Sequence, residues 1–166
     1  SKFDLKNFKK IKIEDALIKI LSSPNYSNKD WITNQYDQMV MCDTAQKSGS
    51  DAAIIRIHKK DKAIAISVDS SANYCKSFPL TGGKQIVCEN WRNLITVGAR
   101  PIAVTNCLNF GNPENQEIMG EFAECLEGIS EACKFLNFPV VSGNVSFYNG
   151  TNKKNIYPTP VIGGVG

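Results

Sequence analysis

The chain has 166 residues, of which 42% are apolar and 21% are charged. This length and composition predict one globular domain with a short lead-in, and they exclude a disordered tail. The formal net charge of +3 and the scattered lysines exclude the basic stripe that nucleic-acid-binding proteins usually carry. No apolar run reaches the length of a membrane span, and the first residues lack the apolar core of a secretory signal, so we expect neither nucleic acid nor membrane as a partner.

Cysteine and histidine usage argues against a zinc site. The chain contains six cysteines and one histidine, and no two cysteines form a CxxC pair. His58 lies beside lysines in a polar turn, and nothing singles out one cysteine as a nucleophile. Reduced thiols are the rule in the cytoplasm, so we expect a cytoplasmic protein.

An amphipathic helix is predicted near the start of the chain. Apolar residues from Ile13 to Leu21 recur with the spacing of one helix face. Pro24 follows where a proline would end that helix. Residues 25–36 favour a short helix or an irregular connection.

Two strands and a helix are predicted next. Residues 52–57 and 63–68 are apolar runs separated by a lysine-rich turn, which predicts an antiparallel hairpin. The second run ends in Asp69, so an acidic side chain is expected at a strand end. Residues 83–97 have an apolar face typical of a helix, and Gly98 is suited to cap its C-terminus.

Two further strand and helix patterns complete the predicted fold. Residues 101–105 predict a strand that opens into an asparagine-rich loop, and a long amphipathic helix follows at 118–136. Residues 139–142 predict a fourth strand, and 161–166 predict the start of another. The order predicts an α+β fold in which two long helices cover one face of a mixed sheet.

Neutral polar residues follow the third and fourth predicted strands. They are Asn106, Asn109, Gly143, Asn144 and Ser146. Amides and hydroxyls suit Mg²⁺ and phosphate, because the metal and the ligand then carry the charge. The two common phosphate loops, GxxxxGK[ST] and GxGxxG, are absent. Each residue alone is more often a turn residue or helix cap, and only their joint placement favours a binding site.

Several segments resemble the phosphoribosylformylglycinamidine synthase family of the synthetase-subunit type. The matching segments are YDQMV at 36–40, SGSDAAIIRI at 48–57, ENWRNLITVGARPIAVTNCLNFGNPE at 89–114, VVSGNVSFYNGT at 140–151 and IYPTPVIGGVG at 156–166. The resemblance extends over nearly the whole chain from about Asp15. LNFGNPE followed by SGNVSFYN is the most specific part of the pattern.

The resemblance implies a domain organisation. Family members contain two related copies of an ATP-binding synthetase module, each built of two domains, and this chain resembles the first domain of the second copy. We expect a helical lead-in at 1–35 and an ATP-binding synthetase N-terminal-like domain at 36–166, with the chain ending before its partner domain. The implied fold is that of the aminoimidazole ribonucleotide synthetase N-terminal domain.

The resemblance also implies an activity for the whole enzyme, an amidine-forming carbon–nitrogen ligase of purine biosynthesis. ATP phosphorylates the amide oxygen of formylglycinamide ribonucleotide. Ammonia from a separate glutaminase then displaces the phosphorylated oxygen to give the amidine. The first copy carries a histidine-rich catalytic segment where this chain has Asp69, Ser70 and Ser71. No catalytic residue is therefore expected in this fragment, which alone should have little or no activity.

Four binding residues are implied by matching the family motifs. Asn106 and Gly143 fall at ATP, Asn144 at Mg²⁺ and Ser146 at the nucleotide substrate. Asn106 stands where the family pattern usually has aspartate, so an acceptor oxygen is kept and its charge is lost.

Acidic residues extend the candidate site. Asp51, Asp69 and Glu89 are candidates for further metal coordination. Asp51, Glu89 and Asn93 also resemble the ligands of an auxiliary nucleotide–Mg²⁺ site in large family members. Glu89 and Asn93 are four residues apart on a predicted helix and would project from one side.

The expected partners are the remaining synthetase domains, a glutaminase and formylglycinamide ribonucleotide. An isolated copy would expose one apolar face of its sheet, so we expect a homodimer through that face. Two alternatives stay open. The chain could belong to another enzyme of the superfamily, such as a selenophosphate synthetase or thiamine-phosphate kinase, although these lack LNFGNPE. It could also be a structural or auxiliary nucleotide-binding module without catalysis.

Overall fold

The computed structural model describes residues 11–36, 40–47, 49–152 and 154–166. The chain divides into two compact units between residues 38 and 39. Among the described helices, none is both long and apolar enough to cross a bilayer.

The first unit contains the predicted amphipathic helix α1 (Ile13–Leu21) and a single-turn helix α2 (Asp30–Thr33). Helix α1 ends at Leu21 and is capped by Ser22, whose backbone N–H donates to the Ile18 carbonyl at 2.9 Å. Pro24 lies two residues further on, as the sequence pattern predicts. No side chain of α1 is buried.

The second unit is built on a six-stranded sheet. The strands of the unit are β1 (Thr44–Gln46), β2 (Ala53–Arg56), β3 (Ala63–Ser70), β4 (Ala103–Asn109), β5 (Val140–Ser146), β6 (Gly150–Thr151), β7 (Lys154–Asn155) and β8 (Thr159–Val165). The sheet order is β1-β2-β3-β8-β4-β5, and β6 pairs with β7 separately. Only β4 and β5 pair in parallel, so the sheet is mixed, as predicted.

The described residues of this unit also form three α-helices, which follow a 3₁₀ turn at Val40–Cys42. They are α3 (Ala72–Ser77), α4 (Pro79–Thr96) and α5 (Gln116–Phe135). Helix α4 begins at Pro79, earlier than predicted, because proline is favoured in the first helical turn. Helix α5 is capped by Asn115, whose side chain accepts from the Glu117 backbone N–H at 2.9 Å.

The two long helices pack closely and cover one face of the sheet. Helix α4 lies on β3 and β8, and α5 lies along α4. A Cβ atom at Gly128 of α5 would collide with the Leu80 carbonyl of α4, so glycine permits this close approach. The core between helices and sheet includes Phe110, Phe138 and Ile162. The predicted α+β fold, with its helices on one face, is confirmed.

The opposite face of the sheet has no covering element among the described residues of the second unit. Its exposed side chains include Ile64, Ile66, Val68 and Val165, and Val68 is 67% exposed. Strand register places Ile66 beside Val165, so these side chains form a continuous apolar surface. The sequence-based expectation of an uncovered apolar face is therefore met in the described residues.

Strands β4 and β5 extend further than their sequence predicts. The predictions ended them at residues 105 and 142, whereas they end at Asn109 and Ser146. The polar residues that were predicted to follow these strands are therefore inside them. Asparagine, glycine and serine favour turns locally, but pairing of β4 with both β5 and β8 holds the backbone extended.

Candidate functional site

The parallel pairing of β4 and β5 brings the four predicted binding residues together. Asn106 pairs with Gly143, Cys107 with Asn144, and Asn109 with Ser146. Strand β5 lies at one end of the sheet, with β4 beside it. We call Asn106, Gly143, Asn144 and Ser146 the β5 edge. The predicted juxtaposition of two distant sequence motifs is thus present in the structure.

The β5 edge presents its groups on both faces of the sheet. Side chains alternate along a strand, so Asn106 shares the helix-covered face with the buried residues Val104 and Leu108. Asn144 and Ser146 lie on the opposite, uncovered face, in register with Cys107 and Asn109 of β4. A ligand that contacts all four residues must reach around the end of the sheet.

Gly143 is required by the side chain of Asn106. A Cβ atom at position 143 would collide with the Asn106 Oδ1 atom. Gly143 does not have a positive φ angle. Glycine is favoured where the backbone has a positive φ or where another group approaches it closely, and at position 143 it permits the close approach.

A cavity of about 520 Å³ lies beside Asn106 on the helix-covered face. Its walls include the apolar side chains of Leu126 and Ile129, and Lys134 supplies a positive charge. The Asn106 amide has no hydrogen-bonding partner among the described residues, so its donors and acceptor are free. A pocket of this size with an apolar lining and an unpaired polar group is typical of a small-molecule site.

Cys133 also lines this cavity, but it is not suited to be a nucleophile. Burial, and secondarily the nearby Cys88, raises the pKa of the Cys133 thiol to about 11. The protonated thiol therefore predominates at neutral pH, and it is the thiolate that is reactive.

Ser146 has a partner that sequence reasoning did not identify. The Asn149 Nδ2 group donates to the Ser146 Oγ atom at 3.1 Å and to the Ser146 carbonyl at 2.9 Å. It also donates to the Phe110 carbonyl at 3.0 Å. Asn149 precedes Gly150, and such an Asn-Gly pair is a common turn signal that gives no indication of a partner for Ser146.

A second polar group lies between β3 and α4, and we call Ser67, Asp69, Asn90 and Asn93 the Asp69 network. The Asn90 and Asn93 Nδ2 groups each donate to an Asp69 carboxylate oxygen at 2.8 Å. The Ser67 hydroxyl donates to the same carboxylate at 2.8 Å. Asp69 and Asn93 were predicted as site candidates, but each has a partner within this network.

Asn90 was missed by sequence reasoning. It is fully buried, and its Nδ2 group also donates to the Ser67 and Ile162 carbonyls. Its Oδ1 atom has no partner among the described residues, and a Cβ atom at Gly164 would collide with it. A buried asparagine among apolar helix positions was the available signal, since buried polar groups are normally hydrogen-bonded.

The predicted auxiliary site stays a prediction. Asp51 and Glu89 are exposed, whereas Asn93 is half-buried and donates to Asp69. No group of three or more acidic, histidine or cysteine side chains suited to a metal ion occurs among the described residues.

Asn144 fits Mg²⁺ as a single neutral ligand. It is exposed, and no described residue forms a hydrogen bond with its side chain. Protein sites often supply Mg²⁺ with only one or two ligands, while water and substrate phosphates provide the others. The β5 edge is therefore compatible with a metal that is carried largely by a nucleotide.

The chain is similar to proteins that are much longer than itself. It is 63% identical over 165 residues to phosphoribosylformylglycinamidine synthase subunit PurL of Pelagibacter ubique, an alignment that covers 99% of this chain and 23% of the relative.

Three solved structures from Thermotoga maritima are also similar. PurLQS matches with a TM-score of 0.78 and 32% identity over the whole of this chain and 26% of its own. PurL complexed with ATP matches with a TM-score of 0.75 and 31% identity over 100% of this chain and 26% of its own. PurL complexed with FGAR matches with a TM-score of 0.74 and 36% identity over 84% of this chain and 23% of its own.

The chain therefore spans about a quarter of the length of these proteins. Residues 49–166 match the family described as AIR synthase related protein, N-terminal domain. This match covers most of the chain and nearly all of the second structural unit. The chain belongs to the AIR synthase related protein family, as its N-terminal domain.

Proposed function

We propose that this chain is a domain of a phosphoribosylformylglycinamidine synthase, namely the first domain of its second ATP-binding synthetase module. The whole enzyme would be an amidine-forming carbon–nitrogen ligase that converts formylglycinamide ribonucleotide in purine biosynthesis. The observation that carries this proposal is the β5 edge, where two distant motifs supply free amides on paired strands, one amide on each face of the sheet. We propose residues 1–35 as a helical lead-in and 36–166 as the synthetase domain.

The helix-covered side of the β5 edge is proposed as the ATP-binding side. The free Asn106 amide can both donate to and accept from a purine base, and Leu126 and Ile129 offer apolar walls. Gly143 lets the Asn106 side chain approach the β5 backbone closely. Support for ATP as the ligand comes from the similar Thermotoga PurL, which is complexed with ATP.

The uncovered side is proposed as the metal and substrate side. Asn144 would supply one oxygen to a nucleotide-bound Mg²⁺, and Ser146 would bind the ribonucleotide. The metal would neutralise phosphate charge, and this chain would orient the groups rather than supply a charged catalyst. The similar Thermotoga PurL complexed with FGAR supports this class of substrate.

The uncovered apolar face is proposed as the contact for other synthetase domains. In the absence of those domains, the same face would pair two copies of this chain, since a surface with side chains such as Val68 and Val165 favours association. A glutaminase would supply ammonia to the assembled enzyme. All six cysteines are free thiols, which supports a cytoplasmic location.

A hybrid enzyme tests the proposal. This chain would replace the matched segment of the Pelagibacter relative, which is 63% identical to it. We expect glutamine- and ATP-dependent turnover of formylglycinamide ribonucleotide, and at ribonucleotide concentrations below KM we expect Asn144→Ala or Ser146→Ala to reduce it at least tenfold. Asn152→Gly is the matched control, because Asn152 is exposed and has a positive φ that glycine accepts. Unchanged turnover in both site variants would refute the site assignment.

A non-catalytic nucleotide-binding module is the second candidate. Asn106 in place of an acid, together with the lack of an acidic cluster among the described residues, favours it. A hybrid that binds ATP but has no turnover, although it is folded and assembled, would support this candidate over the first.

A further inference from the structure

The hydrogen bonds at the end of β5 indicate whether the Ser146 hydroxyl would donate to a bound substrate or accept from it. Ser146 is half-buried at the last position of the strand, and Asn149 lies three residues later. The Asn149 Nδ2 group is 3.1 Å from the Ser146 Oγ atom, and the Asn149 Oδ1 atom is 3.3 Å from it. The shorter contact has the Ser146 oxygen as acceptor.

Counting hydrogens explains why this contact is preferred. The Asn149 amide has two N–H hydrogens, one directed to the Phe110 carbonyl and the other shared between the carbonyl and Oγ atoms of Ser146. The alternative, in which the Ser146 hydroxyl donates to Oδ1 at 3.3 Å, is long for an O–H···O bond. The Ser146 hydroxyl hydrogen is therefore only weakly engaged.

Asn149 is itself held in place by the backbone. Its N–H donates to the Phe110 carbonyl at 3.2 Å, and its own carbonyl accepts from the Ile156 N–H at 3.1 Å. The Phe110 N–H in turn donates to the Ser146 carbonyl at 3.0 Å. These bonds connect the ends of β4 and β5, so Asn149 has little freedom to turn away from Ser146.

We propose that Asn149 is a positioning residue, which binds the Ser146 oxygen and leaves the hydroxyl hydrogen to donate to an oxygen atom of the bound ribonucleotide. This inference rests on the proposed substrate role of Ser146. The recognised group is an oxygen acceptor, either a phosphate oxygen or an amide oxygen of the substrate. A ligand group that can only donate would not be recognised at this position.

A double-mutant cycle in the hybrid enzyme tests this role. We expect Ser146→Ala to raise KM for formylglycinamide ribonucleotide about tenfold, and Asn149→Ala to raise it roughly threefold or more. In the Ser146→Ala background, Asn149→Ala should change KM by less than about twofold, because there is no hydroxyl left to orient. Asn152→Gly serves as the control and should leave KM unchanged in both backgrounds.

A purely structural role for Asn149 predicts a different result. Its removal would then raise KM by the same factor in both backgrounds, and this outcome would overturn the inference. If Ser146→Ala alone had no effect on KM, the proposed substrate site itself would be refuted. The two failures are therefore distinguishable.

Asn149→Asp completes the test if the alanine variant fails to fold. The carboxylate keeps the side-chain shape but accepts the Ser146 hydroxyl hydrogen and withdraws it from the substrate. Repulsion between the new carboxylate and the negatively charged ribonucleotide is the same with serine or alanine at position 146, so it cancels in the double-mutant cycle. A larger KM increase with Ser146 present than with alanine supports the inference, and equal increases overturn it.

The acceptor can be identified with a substrate analogue. Dissociation constants would be measured without ATP for formylglycinamide ribonucleotide and for its nucleoside, which lacks the phosphate. If the Ser146→Ala penalty disappears with the nucleoside, the phosphate accepts the hydrogen bond. If the penalty persists, an amide oxygen accepts it. Both results support a donor role, whereas the absence of a penalty with both ligands overturns it.

Discussion

The Asp69 network and the β5 edge use similar side chains for different purposes. In the Asp69 network, Asn90 and Asn93 donate to a carboxylate that lies beside them, and Asn90 is fully buried. In the β5 edge, the amides of Asn106 and Asn144 have no partner among the described residues. A polar group that the fold already satisfies stabilises the fold, and one that the fold leaves free is available to a ligand.

The largest expected effect is in the Asp69 network. Asn90→Leu should lower the free energy of unfolding by about 2–4 kcal/mol, because buried acceptors, including the Ser67 and Ile162 carbonyls, lose their donor. Urea denaturation of the chain measures this change. The control is Asn73→Leu, since Asn73 is exposed in α3 and should be tolerated within about 0.5 kcal/mol. Equal losses for Asn90→Leu and Asn73→Leu would refute the stabilising role of the Asp69 network.

Gly143→Ala should cost about 1–3 kcal/mol, because the new Cβ atom would collide with the Asn106 amide. The matched control is Gly120→Ala, since Gly120 is an exposed position of α5 with nothing near its Cβ direction. That change should stabilise the chain by about 0.5–1 kcal/mol. Removing the amide with Asn106→Ala should restore most of the Gly143→Ala loss, and no restoration would disprove the contact.

The smallest expected effect is at Lys76, which belongs to neither the Asp69 network nor the β5 edge. Lys76 pairs with Glu117 at 3.1 Å and with Glu121, linking α3 to α5. Because the side chain is partly exposed, Lys76→Met should cost only about 0.5 kcal/mol, and less at high salt. A loss of stability as large as that of Asn90→Leu would show that burial of the polar group does not determine the size of the loss.

The same ion pairs have a defined pH dependence. Hydrogen bonds from Lys76 to Glu121 and then to Glu117 raise the pKa of the lysine. The ion pairs therefore contribute fully to the free energy of unfolding at neutral pH, which is below the lysine pKa of the unfolded chain. This contribution is lost as pH rises through the raised lysine pKa of the folded chain. Denaturation at neutral and strongly alkaline pH would measure this difference, which should be absent in Lys76→Met.

Much of the fold was predictable because its signals are local or periodic. The apolar periods of α1, α4 and α5 and the hairpin of β2 and β3 required no knowledge of distant contacts. The close approach at Gly143 was also predictable, as glycine in an apolar run is unusual. The resemblance rested on LNFGNPE and SGNVSFYN, which are specific as a pair, and the family match over residues 49–166 confirms it.

Distant hydrogen bonds explain what the sequence did not reveal. Asn90 and the Ser67 carbonyl are 23 residues apart, and Asn149 and the Phe110 carbonyl are 39 apart. Neither spacing has a sequence signal, so the network and the Ser146 partner were missed. The full lengths of β4 and β5 were missed for a related reason, because ladder pairing overrode the turn preference of asparagine and serine.

The central claim is that the free polar groups of the β5 edge bind the nucleotide. The most direct test is the affinity of the hybrid enzyme for ATP with Mg²⁺, measured by calorimetry before and after Asn106→Ala. We expect Kd to rise about tenfold while the free energy of unfolding changes by less than about 0.5 kcal/mol, because the amide has ligand contacts to lose and no hydrogen-bond partner among the described residues. An unchanged Kd, or a stability loss like that of Asn90→Leu, would contradict the account.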